Sequence, residues 1–167
     1  MIPPKLIIFD IDGVLTNGKS MYNEHGVAVS KEFNYKDVSA LRQFKSELNI
    51  DIALCTCSKE INIEWAYRKK LQLYYIPYKP GRSEKHNLLS QICGDYNCTS
   101  TDIGFVGDDI QDIELMKRVN SNFKWCPADA IYNLRMMCNV LPVKGGDGVA
   151  ACLFAIIQNE ISVQDFI

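Results

Sequence analysis

The apolar run Lys5–Phe9 leads directly into Asp10-Ile-Asp12, so two carboxylates one residue apart stand where a buried strand would stop. Carboxylates that close repel one another where water is scarce, and a divalent cation or a shared proton makes the crowding tolerable. A second acidic cluster, Asp108-Asp109 with Asp112, closes the run Gly104-Phe-Val-Gly107, now at a helix start. Helix capping and surface acid would account for Asp109 and Asp112 alone, but not for two strands that both end in paired aspartates. If neighbouring strands carry them, Asp10, Asp12 and Asp108 converge on one oxygen-rich pocket. Hard oxygen ligands suit magnesium rather than zinc or copper. Thr56 adds a hydroxyl at the end of the run Ile52–Thr56, and Lys85 an ammonium at a helix start, where amides also face an anion. A lone Thr or Lys is ordinary; beside two acidic corners, in this order, they outline a phosphoryl site.

Alternating elements must hold these residues. Apolar runs predict strands near 5–10, 51–56, 73–76, 103–107, 122–125 and 139–142, and helical stretches fit 37–48, 59–71, 83–94, 110–119, 129–136 and 148–159. Ser83, Asp109 and Asp129 are candidate caps or first-turn acids, with Asp37 and Asp147 for the helices at 37–48 and 148–159. Such alternation predicts a parallel sheet with helices on both faces and right-handed crossovers. One stretch, about 18–33, breaks the rhythm: β-rich pieces flank Asn23-Glu-His-Gly26, which is a hairpin signal. It leaves the sheet directly after the acidic pair, so it should overhang the site, and its exposed edges favour an oligomer.

Composition narrows the function classes. The 167 residues, 47% of them hydrophobic, suit a single domain over 1–167, and no linker or repeat divides them. A net charge of −2 draws the chain to neither nucleic acid nor anionic membrane. No segment reaches the roughly 20 apolar residues of a spanning helix, and the start lacks a secretory pattern. Seven cysteines without a C-x-x-C pair favour packing in a reducing cytoplasm over a disulfide framework, and Cys55 and Cys57 beside Thr56 are read as packing too. Two histidines support neither a histidine metal site nor a triad, although His86 adjoins Lys85. Trp65 and Trp125 are read as core or interface residues.

The order Asp10-Ile-Asp12-Gly13-Val-Leu-Thr16, Thr56, Lys85 and Gly107-Asp108-Asp109 with Asp112 resembles the four motifs of the haloacid dehalogenase superfamily of aspartate-nucleophile phosphatases. The hairpin, the length and the lack of a cap insertion are similar to one capless branch. It includes 3-deoxy-D-manno-octulosonate 8-phosphate phosphatases, nonulosonate 9-phosphate phosphatases and a domain fused to some CMP-sialate synthetases. The resemblance runs along nearly the whole chain, including Lys144–Val149, and implies a three-layer α/β/α Rossmann-like fold. It implies a cytoplasmic magnesium-dependent phosphatase of a phosphorylated sugar acid, in lipopolysaccharide or sialic acid biosynthesis, assembled as a homotetramer through the hairpins. Asp10 would be the nucleophile and Asp12 the acid and base. The metal would be held by Asp10, the Asp12 carbonyl and Asp108, with Asp109 and Asp112 orienting the metal shell and Lys85. Thr56 and Lys85, with Gly13 beside them, would bind the phosphoryl group. Two positions depart from the pattern: Ser58 and Ala151 stand where the branch carries arginines, leaving Lys79, Arg82 or a neighbouring subunit to compensate. That departure keeps a second reading open, a catalytically weak assembly or regulatory domain. A receiver domain also gathers acids, Thr and Lys, but its phospho-accepting aspartate should end a middle strand, where this chain has Cys55-Thr56-Cys57.

Overall fold

The computed structural model describes residues 2–164. Strand β1 (Leu6–Asp10) is buried along its whole length, as a continuous Leu-Ile-Ile-Phe run requires of a strand covered on both faces. It lies between β4 (Asp51–Thr56) and β6 (Ile103–Val106), both parallel to it, with Asp10 opposite Cys55 and Phe9 opposite Val106. Beyond them lie β5 (Leu73–Tyr75) on one side and β7 (Lys124–Cys126) and β8 (Asn139–Val140) on the other. The six-stranded order is β5-β4-β1-β6-β7-β8, every pair parallel. The chain winds outward from β1 to β5 and then returns to β6 beside β1. Strand order therefore reverses between β1 and β6, and an open crevice forms beyond their carboxyl ends.

Side chains alternate across the sheet. Ile7 and Phe9 join Leu41, Phe44 and Leu153 on the face covered by α1 (Tyr35–Leu48), α2 (Asn62–Lys69) and α6 (Val149–Gln164). Leu6 and Ile8 join Ile92, Leu115 and Leu134 on the face of α3 (Leu89–Asp95), α4 (Ile113–Arg118) and α5 (Tyr132–Arg135). The result is the predicted three-layer α/β/α arrangement. Among the described residues no helix is long and apolar enough to cross a membrane.

The predicted hairpin is present as β2 (Met21–Tyr22) and β3 (Ala28–Ser30), its turn held by Asn23, whose side-chain Oδ1 accepts from the amides of His25 and Val27. Its return arm packs back on the body, where Phe33 stacks on Trp65 at 4.0 Å.

The caps differ from expectation. Helix α1 starts earlier, capped by Asn34, whose side chain accepts from the Lys36 amide. Asp37 instead turns away from its own helix: it accepts from the Ala151 amide at 3.0 Å, serving the first turn of α6 that Asp147 was expected to cap. Burial pushes the Asp37 carboxyl up to about 6, against amides from Ala151, Ala150 and Val149 that pull it down. Ser83 donates to the Gln111 carbonyl and accepts from the Glu114 amide, so it braces α4 rather than its own helix. Asp129 accepts from the Gly145 amide, 16 residues on. Asp109 does cap the turn that follows it.

Candidate active site

Asp10 ends β1 and Asp108 lies two residues beyond β6, so the reversal of strand order brings both acidic clusters to one rim. Asp10 is buried, and its Oδ1 accepts from Lys85 Nζ at 2.7 Å and from the Ile11 amide at 2.8 Å. Lys85, also buried, reaches Asp112 Oδ1 at 2.7 Å with the same ammonium. Asp112 Oδ2 accepts the amides of Asp108 and Asp109, so both of its oxygens are engaged within the protein. Thr56 closes β4; its hydroxyl donates to the Ser58 carbonyl and accepts from the Ser58 amide and Asn62 Nδ2. A cleft of about 210 Å³ opens here, lined by Asp10, Asp12, Thr56, Lys85 and Asp109 among others. A larger hollow of about 280 Å³, under Trp125 and Val140 at the sheet edge, gathers none of these groups.

Crowding shows in the electrostatics. Burial pushes Asp10 up to about 7, the Asp112 charge adds to this, and Lys85 opposes it. Burial and the charges of Asp10 and Asp112 push Asp108 up to about 10. Burial would lower Lys85, but the charges of Asp10 and Asp112 hold it well above the usual lysine range.

These residues fit a hard divalent cation. Asp10, Asp108 and Asp112 offer carboxylate oxygens within 4.8 Å of one another. Asp108 Oδ1 is buried without a hydrogen-bond partner, an acceptor that a cation would satisfy. Because Asp112 already accepts three bonds within the protein, Asp10 and Asp108 are the pair with more oxygen to give. Gly13 makes the approach possible: its φ is 87°, and a Cβ there would fall inside the Asp108 carboxylate. Gly13→Ala is expected to cost at least about 1–2 kcal/mol of stability from backbone strain and to weaken divalent-metal binding. Thermal melts with and without magnesium read both effects.

A pH effect follows. Carboxyls raised from 3.8 contribute stability at low pH, and that stability is lost as pH rises through about 7 for Asp10 and about 10 for Asp108. In a chelator, stability should therefore fall between pH 6 and 9. Magnesium should stabilise more at the alkaline end, by about 2.7 kcal/mol at on the order of 100 times its Kd. Melting temperatures across that range in chelator and in magnesium check this.

Asp12 lines the cleft with its carboxylate on Lys31 and Asn62. Most expected site residues are gathered here, with two differences. Asp109 makes no bond to Lys85 and caps its own turn instead. His86 turns Nδ1 to the Ser83 carbonyl at 3.0 Å. Lys79 and Arg82 do not replace the missing arginines at the cleft; they face Glu84 at 2.8 Å and 4.0 Å and are largely exposed. Lys31 and Asn62 were not found from the sequence.

No family model matches the chain. A Haemophilus influenzae 3-deoxy-D-manno-octulosonate 8-phosphate phosphatase, KdsC, is 26% identical over 148 residues, 86% of this chain and 77% of the relative. The structure of the Yersinia pestis 3-deoxy-D-manno-octulosonate 8-phosphate phosphatase superposes with a TM-score of 0.79 at 26% identity, covering 95% of this chain and 84% of that one. The fold is shared with a Moraxella catarrhalis phosphatase of the same name, TM-score 0.79 and 19% identity, over 98% of this chain and 94% of that one. By sequence, by sheet order and by the acids at its strand ends, the chain is similar to octulosonate 8-phosphate phosphatases, the branch of the haloacid dehalogenase superfamily that its motifs resemble.

Proposed function

We propose that the chain hydrolyses the phosphomonoester of a 2-keto-3-deoxy sugar acid, of the octulosonate 8-phosphate or nonulosonate 9-phosphate type, through an aspartyl-phosphate on Asp10. It is a phosphoric monoester hydrolase, and magnesium is its metal. The observation that carries this reading is the pairing at the strand ends: a buried Asp10 held by Lys85, beside an Asp108 with an unpartnered oxygen. The named relatives act on octulosonate 8-phosphate, and the Moraxella structure holds magnesium, phosphate and KDO.

Asp10 and Asp108, with the Asp12 carbonyl, would hold the cation, whose charge offsets the repulsion between an anionic ester and an anionic nucleophile. An Asp10 oxygen attacks phosphorus as the sugar oxygen departs, and Asp12 supplies that oxygen with a proton. Asp12 then takes a proton from the water that attacks the acyl-phosphate, which frees phosphate and restores Asp10. Lys85 has a third N–H for a phosphoryl oxygen beyond its bonds to Asp10 and Asp112. Thr56 donates to the same group once its hydroxyl rotates away from the Ser58 carbonyl.

The same reading includes a homotetramer joined through the hairpins. Met21 and Tyr22 are 68% and 65% exposed on a two-stranded ribbon that is marginal alone. A monomer by light scattering at micromolar concentration overturns that part.

A phosphate-release assay across octulosonate, nonulosonate and neuraminate phosphates, with magnesium and with chelator, tests the function. Magnesium-dependent release from one of the sugar acids is expected. Release from none of them, with p-nitrophenyl phosphate also untouched, favours the weak assembly or regulatory domain. Ser58 and Ala151, which offer no guanidinium, are the residues that keep that second reading alive.

A further inference from the structure

The hairpin's return arm reaches the cleft through one side chain. Lys31 directly follows β3, yet its side chain is only 2% exposed, because its ammonium lies 2.8 Å and 3.0 Å from the two oxygens of Asp12. The same nitrogen stands 3.2 Å from Asn62 Oδ1 and 3.4 Å from Ser58 Oγ. Asn62, fully buried at the start of α2, answers from the other side: its amide donates to Asp12 Oδ2 at 2.8 Å and to Thr56 Oγ1 at 3.0 Å. The other contact to Asp12 is the Thr16 hydroxyl at 3.4 Å, long for a hydroxyl bond. A carboxylate on a loop is thus clamped by groups from two other elements.

The backbone is strained where it supplies one of them. Ile61, β-branched and immediately before Asn62, takes a φ of 65°, a conformation such residues rarely adopt. Outside the cleft, the stacked Phe33–Trp65 pair repeats the junction between the return arm and α2, two and three residues beyond Lys31 and Asn62. The arm is therefore fixed in place rather than left to solvent, and its one inward cation is spent on Asp12.

Resting on the phosphatase reading above, we propose that Lys31, with Asn62, is a positioning residue that aims Asp12 at the leaving-group oxygen. Proton transfer requires heavy atoms at about 2.6–3.2 Å, so a carboxylate free to swing would lose leaving-group protonation first. The attack by Asp10, held by Lys85 and the Ile11 amide, does not depend on Lys31, whereas Asn62 also holds Thr56 Oγ1 and so touches both steps.

The choice of leaving group reads this role. An alkoxide needs a proton to depart, whereas p-nitrophenolate does not. Lys31→Met and Asn62→Ala are each assayed by kcat/KM with magnesium on a sugar-alcohol phosphate and on p-nitrophenyl phosphate. Each variant is expected to lose about 10–100-fold on the alkyl ester, and at least about tenfold more there than on the aryl ester. A crystal structure of Lys31→Met should show the Asp12 carboxylate turned away from Asn62 with Asp10 unmoved. Equal losses on the two esters, no loss on either, or an unmoved Asp12 overturn the proposal and leave the phosphatase reading intact. A wild-type chain inert toward both esters overturns that reading, and the proposal with it.

Discussion

Asp10→Asn should abolish magnesium-dependent phosphate release, with kcat falling on the order of 10⁴–10⁶-fold, while the protein stays folded. The amide keeps an acceptor for Lys85 and the Ile11 N–H, which both bond Oδ1 in the wild type. It removes a negative charge that burial and Asp112 make costly near neutral pH, since the carboxyl is pushed up to about 7. The metal-free variant should therefore melt no lower than the metal-free wild type at pH 8. Loss of turnover with an undiminished melting temperature separates a missing nucleophile from a broken fold. Parallel kinetics and melts of the two proteins check both, and wild-type turnover in the variant would refute the assignment.

Lys85→Met should have the largest effect on stability. The ammonium stands between two carboxylates at 2.7 Å each, all three side chains nearly or wholly buried. Its removal leaves Asp10 and Asp112 without their cation, and breaking a buried pair costs about 3–5 kcal/mol. Magnesium recovers only part of this, because Asp112 Oδ1 loses its Lys85 partner while Oδ2 stays on the Asp108 and Asp109 amides, so a cation held by Asp10 and Asp108 replaces only some of the lost contacts. Urea unfolding with and without magnesium should give a much lower midpoint than wild type in both, with the smaller deficit in magnesium. Turnover should fall as well, since a donor to the phosphoryl group is lost. An unfolding free energy within about 0.5 kcal/mol of wild type, the range of ordinary surface changes, would contradict the buried network.

What the sequence shows is what local pattern controls. Continuous apolar runs mark β1, β4 and β6, and their ends carry Asp10, Thr56 and Asp108, so topology alone brings these to one rim. Lys85 and Asp112 are legible for a related reason, each lying at the start of a helical stretch that follows a strand. Lys31 and Asn62 are not legible, because they meet Asp12 across 19 and 50 residues through a hairpin arm and a strained helix start. No periodicity announces a return arm that folds inward. Asp37 misleads similarly: as a first-turn acid it reads as a cap of its own helix, yet it serves a helix 114 residues away. Loops between a strand and its helix obey tertiary contacts more than local preference, and there the expected boundaries shift most. Helix α2 illustrates this, beginning at Asn62 rather than near residue 59.

Rapid acid quench of the enzyme turning over a phosphomonoester in magnesium, followed by borohydride and peptide mapping, tests the central chemistry most directly. Borohydride reduces an aspartyl-phosphate to homoserine, so the expected result is homoserine at position 10 in the tryptic peptide 6–19, absent without substrate. Homoserine at Asp12 or Asp108 instead, or an unmodified Asp10 during steady turnover, would contradict attack by Asp10 on phosphorus.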